Sequence, residues 1–238
     1  MKKNIVHAWS NGCIVSCQAM EHEPLYGSGY MAAMAVAAEA GGAVGIRANT
    51  PTDIAAIKQS CSLPVIGLYK SVYEGSDVYI TPTMREVHEV IQAGADAIAL
   101  DATCLPRPQG ATFAQMVGEI RAKYPETLIV ADISTYEEGV AAMDLGVDFV
   151  STTMSGYTPY STQQEQPDFE LVAALAALKR TPVLAEGRIW TPEDSARCMH
   201  AGAHAVVVGT AITRPQEITR RFVKAVKTAA LEEASQGR

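Results

Sequence analysis

The stretch AGADAIAL at residues 93–100 decides the fold, because three other stretches repeat its pattern. Each stretch has the signature of a helix end, a turn at a glycine and a short apolar strand. The turn glycines lie at positions 42, 94, 146 and 202, so the spacings are 52, 52 and 56 residues. A period of that length holds about two β/α units. The other three stretches are AEAGGAVGI at 38–46, DLGVDFVS at 144–151 and AGAHAVVV at 201–208.

Four further apolar strands lie between these repeats. Eight short strands that alternate with helices predict a parallel sheet covered on its outer face. A closed (β/α)8 TIM barrel, a single α/β domain over residues 1–238, fits this count, since about 250 residues is usual for that fold. An open doubly wound sheet is the alternative, but even spacing favours closure. The additional strands are GCIVSCQ at 12–18, LPVIGLYK at 63–70, TLIVADI at 127–133 and TPVLAEG at 181–187.

Threonines mark the expected helix starts. Thr50, Thr81 and Thr191 each precede a proline, so a capping hydroxyl stands before a residue that suits the first helical position. Thr83 followed by Glu86 forms a capping box and is an alternative cap to Thr81.

The composition fits one sizeable folded core. Of the 238 residues, 48% are hydrophobic and 19% are charged, which excludes a disordered chain and a disulfide scaffold. The net charge is −7, and Lys and Arg form no block longer than a pair. We therefore expect no nucleic-acid partner and no membrane surface, while a local basic pocket for a phosphate remains possible.

The cysteines and histidines predict a reduced, cytoplasmic protein without a metal site. The five cysteines are scattered without a C-x-x-C motif, and the first residues form no signal peptide. Cys13 and Cys17 lack a second pair of ligands. An Ala-Gly-Ala turn separates His200 from His204, so these two do not share a helix face.

Polar residues end the apolar strands. The active site of such a barrel lies where the strands end, so these side chains are expected to converge on one pocket. Long connections at residues 19–30 and 155–167 are candidate lids. The strand-end residues are Gln18, Arg47, Lys70, Asp101, Asp132, Thr152 or Thr153, Glu186 and Gly209.

Lys70 and Glu186 end the third and seventh strands, which face each other in a ring of eight. Strand alternation places Ile66 and Leu68 on the same face as Lys70, and Leu184 on the same face as Glu186, so both ends can point inward. An amine and a carboxylate would then face one ligand from two sides. The alternatives are a lysine that extends to solvent and a Glu186 salt bridge with Arg188.

The loops after the seventh and eighth strands predict a phosphate site. Gly187 and the pair Gly209-Thr210 stand where loop amides and a short helix commonly hold a phosphate in this fold. Arg188 or Arg214 could add positive charge. The alternative is that these glycines only make tight turns.

Two other motifs suggest chemistry less strongly. GSGYMA at residues 27–32 matches a dinucleotide fingerprint, but it begins well after its strand. Cys104 follows the fourth strand, yet no histidine near it in sequence could serve as a partner. We therefore predict neither a nicotinamide site nor a cysteine nucleophile.

The chain resembles bacterial N-acetylmannosamine-6-phosphate 2-epimerases from about residue 12 to residue 215. The combination of GLYK with a distant AEGR makes the resemblance specific. The matching segments are SCQAMEHEPLYGSGYMAAMA at 16–35, GIRANTPTDI at 45–54, PVIGLYK at 64–70, DVYITPT at 77–83, ALDAT at 99–103, VADIST at 130–135 and AEGRIWTPE at 185–193.

The resemblance implies interconversion of N-acetylmannosamine 6-phosphate and N-acetylglucosamine 6-phosphate in sialic-acid breakdown. It makes Lys70 and Glu186 the catalytic pair and places Gln18, Arg47 and Asp132 around the sugar. The reaction needs an acid, a base and a stabiliser of the enolate, and it requires no metal or organic cofactor.

Neutral Lys70 is the expected base, made available by burial and by the charge of Arg47, although a charged Glu186 would oppose this. We favour one base, because an ordinary carboxylate has a pKa of about 4.3 and suits removal of a carbon proton poorly.

Two alternative functions remain from the sequence. One is an oxidoreductase barrel that binds flavin mononucleotide through the same phosphate loops, and the other is a phosphosugar-binding barrel without catalysis. The expected partner is a phosphorylated amino sugar, and a homodimer is the expected assembly.

Overall fold

Short runs of apolar residues form eight parallel strands that close into a barrel. The computed structural model describes residues 2–236. The strands follow one another in chain order and β8 pairs with β1, which confirms the TIM barrel rather than the open sheet. They are β1 Gly12–Cys17, β2 Gly45–Asn49, β3 Val65–Leu68, β4 Ala97–Asp101, β5 Leu128–Asp132, β6 Phe149–Ser151, β7 Val183–Glu186 and β8 Ala205–Val208.

Helices cover the outer face of the barrel and continue beyond it at both ends of the chain. Two single 3₁₀ turns follow β4 and β6, at Pro108–Gly110 and Thr152–Met154. The helices are α1 Lys2–Trp9, α2 Ser28–Ala40, α3 Pro51–Ser60, α4 Met84–Gln92, α5 Phe113–Lys123, α6 Tyr136–Asp144, α7 Phe169–Ala177, α8 Pro192–His200, α9 Thr210–Thr213 and α10 Pro215–Gln236.

The predicted threonine caps are confirmed at three helices. Thr50 caps α3, while Thr83 and Thr191 form capping boxes at the starts of α4 and α8. Thr81 caps no helix, because its hydroxyl accepts the backbone N–H of Tyr69 at 3.1 Å. Thr83, the alternative cap, is therefore the residue that caps α4.

The barrel interior confirms the alternation predicted for the third and seventh strands. Ile66, Leu68 and Leu184 belong to one buried cluster that also contains Trp9 and Phe149. Trp9 lies on α1, a helix that the sequence analysis missed, and its ring centroid is 5.0 Å from that of Phe149. The helix therefore closes the amino-terminal end of the barrel with an indole.

Two predicted strand-end residues, Arg47 and Lys70, lie two positions from the observed end of their strand. Arg47 is the third of five residues in β2, not its end, because the strand continues to Asn49. Lys70 lies two residues beyond β3 and forms an isolated antiparallel bridge with Ile80. The side chains still reach one end of the barrel, since Arg47 and Lys70 both line the cavity described below.

The last helix differs from the others in its exposure. Every residue from 219 to 232 is exposed, and Phe222, Val226 and Leu231 are 70%, 69% and 72% exposed. Within the described part of the chain, no helix is long and apolar enough to cross a membrane.

Candidate active site

A cavity of about 250 Å³ opens where the strands end. Its wall contains every residue predicted to act on the sugar or the phosphate except Asp132. The predicted residues that line it are Gln18, Arg47, Lys70, Glu186, Gly187, Arg188, Gly209 and Thr210. Asp101, another strand-end residue expected to face the pocket, also lies outside the wall, where it accepts the backbone N–H of Thr103 at 2.9 Å.

Arg47 connects the two acids of the predicted site. Its Nη1 and Nη2 donate to the two carboxylate oxygens of Asp132 at 3.0 and 2.6 Å. Nη1 also lies 3.0 Å from Oε2 of Glu186. Asp132 is fully buried and does not line the cavity, so its geometry suits positioning Arg47 more than contacting a sugar.

Hydroxyl groups at the end of β6 and in the 3₁₀ turn that follows it also surround Glu186. The Thr153 hydroxyl lies 3.1 Å from Oε2 of Glu186 and 2.6 Å from Oδ1 of Asp132, so it can donate to either acid. The Ser151 hydroxyl lies 3.3 Å from the same Oε2. Of the two threonines proposed for this strand end, Thr153 faces the cavity, while Thr152 binds the backbone carbonyl of Glu186 at 2.9 Å.

The Lys70 amine has no hydrogen bond or ion pair with any residue that the structure describes. Burial lowers the pKa of Lys70 to about 8, and the positive charges of Arg47 and Arg214 act in the same direction. Glu186 and Asp132 oppose this shift without reversing it. The sequence left open whether burial and Arg47 or the charge of Glu186 determines the protonation of Lys70. In the structure, burial and the two arginines outweigh the two acids, and the pKa of Lys70 is lowered.

Glu186 shifts in the opposite direction. Burial raises the pKa of Glu186, and the nearby Asp132 raises it further, while Arg47 partly offsets both effects. The alternative salt bridge with Arg188 is not formed, because Glu186 pairs with Arg47. Lys70 and Glu186 are thus two titratable groups of the cavity whose pKa values are both shifted from their ordinary range, a pattern typical of functional sites.

Gln18 offers a free acceptor on a third side of the cavity. Its Nε2 donates to the Ser16 hydroxyl at 2.9 Å, whereas its Oε1 is buried without a partner. An unpaired buried acceptor is unfavourable unless a ligand supplies a donor. The amide therefore suits an N–H or hydroxyl group of a substrate.

The two glycine loops adopt conformations that suit close approach of a ligand. Gly187 has a φ of 106°, where only glycine is free of strain, and it lines the cavity. Gly209 immediately precedes α9, whose first amides have no acceptor within the helix. Both predicted phosphate loops therefore lie at one wall of the cavity.

Two arginines connect this wall to the long loops. Arg188 donates to the carbonyls of Ser155 and Gln166 at 2.7 and 2.9 Å. Arg214 forms an ion pair with Glu23 at 3.0 Å. The predicted lids at 155–167 and 19–30 are thus attached to the phosphate wall, while their movement remains a prediction.

Aromatic residues of the cavity were missed by the sequence analysis. Tyr79, Tyr157 and Trp190 line it from the loops after β3, β6 and β7. The Tyr79 hydroxyl lies 3.7 Å from the sulfur of Met154, and burial raises the pKa of Tyr79 to about 12. Loop aromatics have no periodic signal, although Tyr79 falls within the DVYITPT segment and Trp190 within AEGRIWTPE.

The weaker motifs contribute nothing to this cavity. The glycines at 27 and 29 open α2, ten residues after β1 ends, and Cys104 lies on an exposed loop outside the cavity wall. Desolvation and Glu138 raise the pKa of the Cys104 thiol, which makes it a poor nucleophile. Among the described residues, no cluster of His, Cys, Asp and Glu could hold a metal ion.

Comparison with known proteins identifies the family. A family model described as "Putative N-acetylmannosamine-6-phosphate epimerase" matches residues 31–228. A relative from Caldanaerobacter subterraneus subsp. tengcongensis, named "Putative N-acetylmannosamine-6-phosphate 2-epimerase", is 57% identical over 227 residues, which cover 95% of this chain and 96% of the relative. A relative of the same name from Clostridium perfringens is 51% identical over 214 residues, covering 90% and 96%.

Solved structures agree with this result. The N-acetylmannosamine-6-phosphate 2-epimerase from Clostridium perfringens superposes with a TM-score of 0.90 at 48% identity, covering 93% of this chain and 96% of that one. A thiamine phosphate pyrophosphorylase from Pyrococcus furiosus, at 14% identity with a TM-score of 0.59 over 91% and 93% of the chains, shows the fold alone. The chain belongs to the N-acetylmannosamine-6-phosphate epimerase family.

Proposed function

We propose that the chain interconverts N-acetylmannosamine 6-phosphate and N-acetylglucosamine 6-phosphate, an inversion at C2 that belongs to amino-sugar and sialic-acid breakdown. One observation carries this proposal beyond family membership. An unpaired Lys70 amine with a pKa of about 8 faces the same cavity as Glu186, whose pKa is raised. A proton can be removed and returned between such groups near neutral pH.

The cavity supplies each part of the reaction. The C2 proton becomes acidic once the sugar ring opens and an aldehyde stands beside it, and neutral Lys70 is the proposed base. Arg47 lines the cavity with its positive charge and suits stabilisation of the enolate oxygen. Gln18 binds the sugar, while Asp132 holds Arg47 in place.

The phosphate is proposed to bind at the wall formed by the two glycine loops. Amides beside Gly187, Gly209 and Thr210 would donate to its oxygens, as is common in this fold. Arg188 retains Nη2 beyond the two loop carbonyls that it binds through Nε and Nη1, so it can add charge without leaving the loop.

Glu186 is the proposed acid for ring opening. The one-base route predicted from the sequence assumes a Glu186 carboxylate of ordinary pKa, but burial raises the pKa of Glu186. A carboxylate of raised pKa is a stronger base, so the structure disfavours Glu186 as a second base less than the sequence does. The one-base route stays a prediction that isotope transfer can test.

A coupled assay tests this function in both directions. We expect turnover of both hexosamine 6-phosphates, and much lower kcat/KM for the free sugars, because they lack the group that the glycine wall binds. Cys104→Ser, outside the cavity, is the control variant and should match the wild type. Equal kcat/KM for phosphorylated and free sugars would remove the phosphate assignment, and ligand binding without turnover would favour the non-catalytic alternative.

Family membership favours the epimerase over the flavin alternative, since the matching family and relatives are epimerases. We also propose that the chain is one domain over residues 1–238 and works in the cytoplasm, as the sequence predicted.

The assembly is proposed to be a homodimer, in which a second copy covers two apolar surfaces. One is the face of α10 that exposes Phe222 and Val226. The other is a groove of about 330 Å³ on the outside of β1, lined by Val15, Met34 and Ile212. No residue of α10 that the structure describes lines this groove, and every residue of α10 from 219 to 232 is exposed. A single chain therefore leaves both an apolar helix face and an apolar groove in water.

Light scattering during gel filtration tests the dimer. We expect twice the mass of the 25.3 kDa chain for the wild type and a monomer for Phe222→Lys with Val226→Lys. Leu145→Lys, which charges an exposed apolar residue at the end of α6, should remain dimeric. A monomeric wild type would contradict the proposal.

A further inference from the structure

The backbone of Lys70 lies where the barrel no longer holds it by regular strand pairing. The pairing of β2 with β3 ends at Asn49 and Leu68. The pairing of β3 with β4 ends one residue earlier in β3, at Gly67 and Ile98. Lys70 therefore needs other contacts to fix its position.

The next bond of the regular ladder would join the N–H of Lys70 to the carbonyl of Thr50, because the N–H of Thr50 donates to Leu68 at 3.0 Å. That carbonyl is not available. Thr50 has a φ of 69° and turns the chain into α3, where its carbonyl accepts the N–H of Ile54 at 3.0 Å.

The side chain of Asn49 replaces the missing acceptor. Its Oδ1 accepts the N–H of Lys70 at 2.9 Å, and the residue is only 5% exposed. On the other side of Lys70, Ser71 donates to Tyr79 and Thr81 donates to Tyr69, each at 3.0 Å. The Lys70 backbone is thus held on one side by the amide side chain of Asn49 and on the other by the backbone of residues 79–81, which precede α4.

This support matters because the Lys70 amine has no hydrogen bond of its own among the residues that the structure describes. Its place in the cavity follows from its backbone and from packing. We propose that Asn49 is a positioning residue for Lys70, whose amide oxygen extends the β2–β3 ladder by one bond so that the amine reaches the C2 proton. This proposal rests on the proposed function for the identity of the reaction.

The charged groups around the Lys70 amine determine how a substitution at Asn49 should change the pH dependence of activity. Arg47 on β2 and Arg214 after α9 are positive, while Glu186 on β7 and Asp132 on β5 are negative. The Asn49 amide adds no charge to this set. Asn49→Asp would keep the acceptor and add a negative charge beside Lys70, whereas Asn49→Ala would remove the acceptor alone.

The experiment compares these two variants with the wild type and with Thr50→Ala. The Thr50 hydroxyl caps α3 through Asp53 and does not touch Lys70, so its removal should lower the melting temperature without changing kcat. For Asn49→Ala we expect kcat to fall about 10- to 100-fold through misplacement of the amine, with KM within about threefold of the wild type. For Asn49→Asp we expect activity at high pH, with the acidic limb of the pH profile moved to higher pH.

A titration of Lys70 by NMR, with ¹³C-labelled lysine, gives a second readout that needs no activity. Asn49→Ala should move the Lys70 titration toward the ordinary lysine range, because a displaced amine regains solvent. Unchanged kcat and an unchanged titration in Asn49→Ala would overturn the proposal. Should that variant fail to fold, Asn49→Leu, which keeps the size of the side chain and removes the acceptor, takes its place, and an unchanged kcat with an unchanged titration there overturns the proposal. An inactive wild type with a shifted titration would refute the epimerase function and retain the role of Asn49.

Discussion

Arg47 and Glu186 form an ion pair at the wall of the cavity, with Nη1 of the arginine 3.0 Å from Oε2 of the glutamate. The guanidinium lowers the pKa of Lys70 and partly offsets the rise in the pKa of Glu186. One buried cation therefore acts on both proposed catalytic groups. Arg47 is held in this position because Asp132 accepts two hydrogen bonds from its guanidinium.

Replacing Arg47 with methionine should cost far more stability than removing a surface arginine. The fully buried Asp132 would lose its partner, and breaking a buried pair costs about 3–5 kcal/mol. Arg180→Met is the control, since its pair with Asp144 is exposed and is expected to contribute about 1 kcal/mol or less. Urea unfolding gives both values, and equal losses would contradict the assigned role of Arg47.

The pH profile should reflect the neutral form of Lys70. With a pKa of about 8, roughly a tenth of the amine is neutral at pH 7, so kcat/KM should rise from pH 6 toward pH 8, and it should fall at higher pH, where Glu186, the proposed acid, has lost its proton. Initial rates between pH 6 and pH 9.5 measure this. A profile that is flat or falls between pH 6 and pH 8 would argue against a lysine base.

Lys70→Met should stabilise the fold at neutral pH. The folded state resists the charge on Lys70, because its pKa is about 8 instead of 10.5, so the lysine costs stability below pH 8. That cost disappears as the pH rises from 8 to 10.5, where the unfolded chain also loses the proton. Urea unfolding at pH 7 and near pH 10.5 should show that Lys70→Met has a higher free energy of unfolding than the wild type and that this difference shrinks as the pH rises. A difference that grows with pH would contradict a lowered pKa of Lys70.

Isotope transfer should distinguish one base from two. In heavy water with C2-protiated substrate, a single lysine that returns its own proton leaves some substrate hydrogen in the first product. Two separate bases give product that carries solvent deuterium almost entirely. We expect partial retention, and near-complete deuteration with Glu186→Gln exchanging only one epimer would make Glu186 the second base.

The barrel could be predicted from the sequence because its signals are local. Glycine turns before apolar strands repeat at a fixed period, and alternation within each strand fixes which side chains point inward. The positions of Lys70 and Glu186 could be predicted in this way, because Lys70 follows β3, Glu186 ends β7, and alternate residues of both strands fill the interior.

Other features depend on distances between strands, which a pattern does not encode. Asp132 ends its strand as expected, yet its bond to Arg47 joins residues 85 positions apart. The part played by Asn49 depends on where β2 turns into α3. Trp9 closes the barrel from a helix too short to give a clear periodic signal.

The fate of the C2 proton in heavy water, followed by proton NMR for the wild type and for Lys70→Ala, tests the central claim most directly. The wild type should convert either hexosamine 6-phosphate into the other epimer and, after repeated turnovers, lose the C2 proton signal. Folded Lys70→Ala, checked by circular dichroism, should do neither, with a loss of about 100- to 10,000-fold expected for removal of a general base. A folded Lys70→Ala that exchanges C2 at nearly the wild-type rate would contradict the account.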